Sequence, residues 1–318
     1  MLSLAELEKA ADLVHRVVPP TPLYCWPLLG ERCGAEIWVK HENHTPVGAF
    51  KLRGGLTYFD ELRRSRPDLE GVISATRGNH GQSVGFAAKR NGFAAAIVVP
   101  HGNSVEKNAA MQAQGVELIE HGHDFQAAAE HATALASSRG LHRVPSFHPW
   151  LVRGVASYGL EMFGANPGLN IVYVPIGLGS GISGTIAARD ALGLATRIVG
   201  VVAENAPAYA LSFAAGRPIS TNSADTLADG MACRVPDEAA LAIIRAGAER
   251  IVTVSEAAIR AAMRHYFTDT HNVAEGAGAA PLAAALQERA ALQGKRVGLV
   301  LSGGNVDRPL FASVLAED

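Results

Sequence analysis

Short apolar runs alternate with Ala-rich helical stretches along almost the whole chain, and this alternation limits the possible folds more than any other feature. Residues 36–40, 71–75, 94–100, 116–120, 170–175, 197–203 and 296–302 read as strands, and 82–91, 124–138 and 256–270 as helices between them. Strands this short and this uniformly apolar are buried on both faces, as in sheets built from βαβ units. The expected fold is therefore α/β, with mostly parallel sheets flanked by helices. The 318 residues give room for about two domains. A small mobile domain over 69–145 is expected beside a larger one formed from 1–68 and 146–318. The breaker-rich segment Pro145-Ser-Phe-His-Pro149 would be the crossover between them.

Composition removes several function classes. Hydrophobic residues make up 48% and charged residues 18%, so a large core is available and disorder is not expected. A formal net charge of -2 offers no basic face for nucleic acid. Three cysteines, Cys25, Cys33 and Cys233, are too scattered for a disulfide framework. His41 and His44, or His121 and His123, have no Cys or carboxylate partner at zinc-like spacing, so no metal centre is expected. The first ten residues read as an amphipathic helix start without the apolar core of a signal peptide. No apolar run approaches the ~18 residues of a membrane span. A cytoplasmic protein is expected.

Gly177-Leu-Gly-Ser-Gly-Ile-Ser-Gly184 follows a strand and opens a helix. Residues 179–184 satisfy G-x-G-x-x-G, and Glu204 ends the next strand, so the segment fits a dinucleotide fingerprint. A NAD(P)-dependent oxidoreductase is one reading. The physics common to all readings is narrower: backbone N–H groups at a helix N-terminus bind a phosphate, whether in a pyrophosphate or a monoester. A tight turn for helix–strand packing is the bland alternative.

Three further features favour a lone phosphate. Lys51 sits in Gly48-Ala-Phe-Lys-Leu-Arg-Gly-Gly55, among small and apolar neighbours that would desolvate its ammonium, lower its pKa and leave a nucleophilic amine suited to a Schiff base. On its own, such a lysine reads equally as a helix-start residue that snorkels to water. Thr76-Arg-Gly-Asn-His-Gly-Gln82 also follows a strand and opens a helix, whose N–H groups can hold a carboxylate, with Asn79 supplying an amide for a phenolic oxygen. Ser302-Gly-Gly-Asn305 places a hydroxyl at the carboxyl end of a strand, where α/β sheets bind ligands.

In this combination and order the chain resembles the fold-type II pyridoxal-phosphate enzymes: threonine dehydratases, serine/threonine ammonia-lyases and serine racemase. The resemblance runs from Thr21-Pro-Leu23 through Glu42 and 48–54, Gly78-Asn-His-Gly-Gln82, Gly154-Val-Ala-Ser-Tyr-Gly-Leu-Glu161, the glycine loop, Ala228-Asp-Gly230, Glu275-Gly-Ala-Gly278 and Ser302-Gly-Gly-Asn305. It implies a two-domain, tryptophan synthase β-like architecture, pyridoxal 5'-phosphate as cofactor and a homodimer. It further implies that Lys51 forms the Schiff base and shuttles the Cα proton, and that Phe50 lies against the pyridine ring. By the same resemblance Asn79 contacts the phenolic oxygen, Gly177, Leu178, Gly179, Ser180 and Gly181 cradle the phosphate, and Ser302 faces the pyridine nitrogen. Thr76, Arg77, Gly78, Asn79 and His80 would hold the substrate. A serine at the pyridine nitrogen makes a weaker electron sink than a carboxylate would, which favours β-elimination over transamination.

Three departures from the family pattern matter. Arg77 stands where racemases carry a serine acid/base, and an arginine is a poor proton shuttle. Glu204 fits a family cation ligand, but Ala210 replaces the second carboxylate. Leu178 and Ser180 occupy loop positions often held by glycine. The expected activity is elimination of water from a β-hydroxy-α-amino acid, L-threonine or L-serine by default, to a 2-oxo acid and ammonia. A 3-hydroxyaspartate dehydratase, with Arg77 pairing to a second carboxylate, and a racemase are alternatives within the family. An amino-acid-binding module without catalysis is a third, but it has no use for Lys51 together with Ser302. Only 306–318 follow the last motif, so no C-terminal effector domain is expected.

Overall fold

The computed structural model describes residues 2–317. Its strands are β1 (Leu23–Cys25), β2 (Glu36–His41), β3 (Gly71–Ala75), β4 (Ala94–Val99), β5 (Glu117–Glu120), β6 (His142–Arg143), β7 (Ile171–Pro175), β8 (Arg197–Ala203), β9 (Arg250–Val254) and β10 (Arg296–Leu301). They form two sheets. The larger has the order β1-β2-β10-β7-β8-β9 and the smaller β5-β4-β3-β6. All pairs are parallel except β1 with β2. The residues of β3 and β7 are buried throughout, as strands covered by helices on both faces must be.

The expected strands are all present, most trimmed by a residue at one end. Three further strands lie outside those apolar runs. β1 and β6 are too short to show a period, with three and two residues. β9 carried a readable signal in Ile251, Val252 and Val254 on the edge beside β8. The helix expected to begin at 82 begins at Asn79, so Asn79, His80 and Gly81 belong to its first turn. The N-terminal helix, Leu4–His15, is set by a capping box in which Ser3 and Glu6 exchange hydrogen bonds.

The core of the larger sheet wraps the Pro149–Ala165 helix, where Val155, Tyr158, Met162 and Phe163 are buried. The smaller sheet has its own core. Tyr58, Phe59 and Leu62 of the Lys51–Ser65 helix and Leu151 join Val72, Val84, Phe93 and Ile97 there, and the same helix packs along the Pro149–Ala165 helix.

A charge cluster lies beneath the same helix. Arg53 is wholly buried and donates to Glu42 at 2.7 and 3.0 Å, to Glu161 at 2.5 and 3.0 Å and to Ser157 at 2.9 Å. Lys40 donates to Glu161 and to the Thr21 carbonyl. Two buried cations thus face two buried carboxylates, and every guanidinium nitrogen is engaged. That saturation is what makes the desolvated charges tolerable. It also fixes the helix two residues beyond Lys51.

Candidate active site

The carboxyl ends of β2, β3, β7 and β10 open on one side, and the segments that follow them converge on a cavity of about 380 Å³. Several helix N-termini meet there, among them those of Lys51–Ser65, Asn79–Arg90, Ser180–Ala191 and Gly276–Gln287. First-turn N–H groups have no intrahelical partners and the aligned dipoles add positive potential, so the cavity favours anions before any side chain is counted.

Lys51 is the first residue of its helix, and no side chain caps that end. Its Nζ lies 3.1 Å from Ser180 Oγ and 5.0 Å from the centre of the Phe50 ring. It keeps partial exposure because it lines the open cavity, yet protein surrounds its head on the other sides. Burial lowers its pKa to about 8, with Glu275 partly opposing the shift.

The glycine loop after β7 turns through Gly179, whose φ of 96° belongs to the left-handed region. The Leu178 carbonyl accepts from Tyr209 Oη at 3.1 Å and the Gly181 carbonyl from Tyr158 Oη at 2.8 Å, which steadies the loop. Gly177 through Gly181 all line the cavity.

The second loop is braced internally. Thr76 Oγ1 accepts from the N–H of Gly78 at 2.9 Å and of Gly81 at 3.3 Å. Gly78 adopts φ 152°, and a Cβ there would stand 2.4 Å from Lys107 Cδ. Asn79 donates to Glu275 Oε1 at 2.7 Å and accepts from Asn305 Nδ2 at 2.9 Å. His80 is buried with Nε2 unpartnered, and burial, with the nearby Lys51 charge, pushes its pKa down to about 3, so the ring is neutral. Arg77 lines the cavity, and its Nε is buried without a partner among the described residues.

Ser302 follows β10 and is 4% exposed, with its side chain on the cavity and no hydrogen bond to its hydroxyl among the described residues. All the residues expected from the sequence, except Glu204, therefore line one cavity: Phe50, Lys51, Thr76 to His80, Gly177 to Gly181 and Ser302. Glu204 does not. Its carboxylate accepts from the N–H of Glu256 at the start of the Glu256–Thr270 helix, and no group of three or more potential ligands gathers around a metal position among the described residues. Among the residues not singled out individually, Lys107, Asp229 and Glu275 also line the cavity. Asp229 and Glu275 sat inside quoted motifs, but nothing in the sequence marked Lys107.

The chain matches the family model described as pyridoxal-phosphate dependent enzyme over residues 14–303. It belongs to that family. It is 33% identical to the L-threonine ammonia-lyase of Thermotoga maritima over 311 residues, covering 96% of this chain and 76% of that one. It is 31% identical to the L-threo-3-hydroxyaspartate ammonia-lyase of Saccharomyces cerevisiae, covering 96% and 94%. Its fold superimposes on threonine deaminase isoform 2 from Solanum lycopersicum with a TM-score of 0.90 at 29% identity, covering 100% of this chain and 95% of that one. The family is fold-type II, and the dinucleotide reading of the glycine loop is set aside.

The residues present fit pyridoxal phosphate. The Ser302 hydroxyl beside the cavity, the desolvated Lys51 amine and a glycine turn opening a helix are donors and acceptors of the kinds such a molecule requires. No helix among the described residues is long and apolar enough to cross a membrane.

Proposed function

We propose that this protein is a pyridoxal-phosphate-dependent ammonia-lyase that removes water from a β-hydroxy-α-amino acid, with L-threonine and L-serine as default substrates. The observation that carries the reading is the Lys51 amine, depressed in pKa and 3.1 Å from Ser180 at the mouth of the glycine loop. When bound, the cofactor supplies an electron sink that acidifies the substrate Cα–H.

The chain's own groups take these parts. Gly177 to Gly181 would hold the phosphate, Lys51 would bind the aldehyde, Phe50 would cover the ring, Asn79 would donate to the phenolic oxygen and Ser302 would face the ring nitrogen. The first turn at 76–80 holds the substrate carboxylate. As a free amine, Lys51 accepts the Cα proton. The β-hydroxyl leaves as water by taking up one proton, which balances the one Lys51 removed from Cα, and hydrolysis of the released enamine gives a 2-oxo acid and ammonia. The neutral Ser302 hydroxyl favours this elimination over transamination. Residues 69–145 act as a mobile lobe whose closure excludes water. A homodimer, from the family resemblance, and a cytoplasmic location, from the absence of a signal-peptide pattern in the sequence, complete the reading.

A second substrate reading has its own support. The Arg77 guanidinium has a buried, unpartnered Nε on the cavity wall, suited to a second carboxylate such as that of 3-hydroxyaspartate. The same arginine lacks the proton-shuttling chemistry of a racemase serine.

One panel tests these readings: 2-oxo acid release from threonine, serine and 3-hydroxyaspartate by the wild type and Arg77→Ala. Release from none of them overturns the ammonia-lyase reading. Selective loss of the dicarboxylic substrate in Arg77→Ala supports the pairing, and equal loss on all substrates overturns it.

A further inference from the structure

Lys107 stands in the first turn of the Val105–Ala113 helix, beside the smaller sheet, yet it is only 5% exposed and its head crosses to the other side of the cavity. Its Nζ lies 2.6 and 2.8 Å from the carboxylate oxygens of Asp229 and 3.3 Å from Glu275 Oε2. Its stem runs beneath Gly78, where no side chain fits. Glu275 is 3% exposed, and its other oxygen accepts from Asn79 Nδ2 at 2.7 Å. Asn79 Oδ1 in turn accepts from Asn305 at 2.9 Å.

We propose that Lys107 is a positioning residue: bridging Asp229 and Glu275 across the cleft, it keeps Glu275 a fixed acceptor that orients the Asn79 amide in the cofactor pocket. This rests on the reading of that pocket as the pyridoxal-phosphate site.

An isolated buried carboxylate takes up a proton rather than remain charged. Burial does push Glu275 upward, Lys107 opposes the shift, and the neighbouring Asp229 adds to it. A protonated Glu275 can carry its O–H on either oxygen, so the atom facing Asn79 is no longer bound to be an acceptor, whereas an amide cannot exchange its two ends by moving a proton. The amide then loses one of the two bonds that decide which way round it sits. With Lys107 present, one Asn79 N–H is committed to Glu275, its oxygen is committed to Asn305, and the second N–H is left for a ligand.

The chain of contacts makes a distinctive prediction. A neutral glutamine at 275 still accepts from Asn79 but needs no neighbouring cation. Apoprotein of the wild type, Lys107→Met, Glu275→Gln and the double variant would be titrated with pyridoxal phosphate, following the visible absorption band and the Kd. Lys107→Met is expected to bind about tenfold more weakly, the scale of losing one charge-assisted contact. Adding Glu275→Gln to it is expected to bring the Kd back to within about threefold of wild type, a coupling that a double-mutant cycle reads directly.

Losses that multiply in the double variant overturn the role, as does an unchanged Kd in Lys107→Met. If Lys107→Met does not fold, the double variant decides: a folded, cofactor-binding protein supports the proposal and an unfolded one overturns it. Wild-type protein that develops no band overturns the cofactor reading itself, whereas a normal wild-type titration with multiplying losses overturns only the role of Lys107.

Discussion

Phe50 donates its backbone N–H to the carbonyl of Ser302 at 3.0 Å. The turn that carries Lys51 is thereby stitched to the end of β10. The Ala49–Gly303 bridge and the Gly304 N–H to the Gly48 carbonyl, at 2.9 Å, complete the seam. The amine and the hydroxyl assigned to opposite ends of one pyridine ring thus share a backbone frame, and neither needs a mobile loop to find the other.

Replacing Lys51 with Ala is expected to abolish the visible band of the reconstituted protein and its borohydride-stabilised adduct. The loss of an acid–base group alone lowers turnover by about 10²–10⁴-fold. Peptide mapping of the borohydride-reduced wild type should find the label on Lys51, and a label elsewhere refutes its role.

The depressed Lys51 pKa has a stability consequence with a definite sign. Its ordinary value is 10.5 and its folded value about 8, so between these the unfolded chain binds a proton that the folded one does not. Apoprotein stability should therefore gain a component that rises with pH from about 8 to 10.5. Urea melts across that window are expected to show the rise in the wild type and its loss in Lys51→Met.

Arg53→Met leaves Glu42 and Glu161 buried with half of their countercharge gone. Removing one partner from such a cluster costs about 3–5 kcal/mol. Denaturant midpoints should fall accordingly, and a change below about 1 kcal/mol would show that the cluster carries little net stability.

Gly78→Ala combines a backbone conformation rare for side chains with a Cβ driven against the Lys107 stem. Weaker substrate saturation, measured as a raised KM, is expected with little change in melting temperature. An unaltered KM would remove this loop from substrate binding.

Much of the pocket was legible because its residues sit where strands end and helices begin, and such junctions are written locally. Lys51, the Thr76–Gln82 loop, the glycine turn and Ser302 each carry small residues next to a buried strand. Lys107 was not legible, since Val105-Glu-Lys-Asn108 reads as an ordinary helix start and its carboxylates come from distant segments. Arg53, Glu42 and Glu161 were visible as parts of recurring segments, but only the packing of the Lys51–Ser65 helix against Pro149–Ala165 makes them a buried cluster. Thr76 reads as a substrate contact, and its hydroxyl also accepts from the Gly78 and Gly81 amides.

The position of β10 between β2 and β7 has a consequence for how the chain reaches this state. Val297 pairs with Ile37 on one side and Ile171 on the other, so the larger sheet is split until its latest-made strand arrives. The smaller sheet draws on residues 71–143 alone and can close much earlier. During synthesis from the N-terminus, β2 and β7 must therefore wait with one edge open each, a state prone to wrong pairing. The Lys51–Ser302 frame forms in that same late event, so catalytic competence should appear abruptly with β10 rather than accumulate as the chain grows.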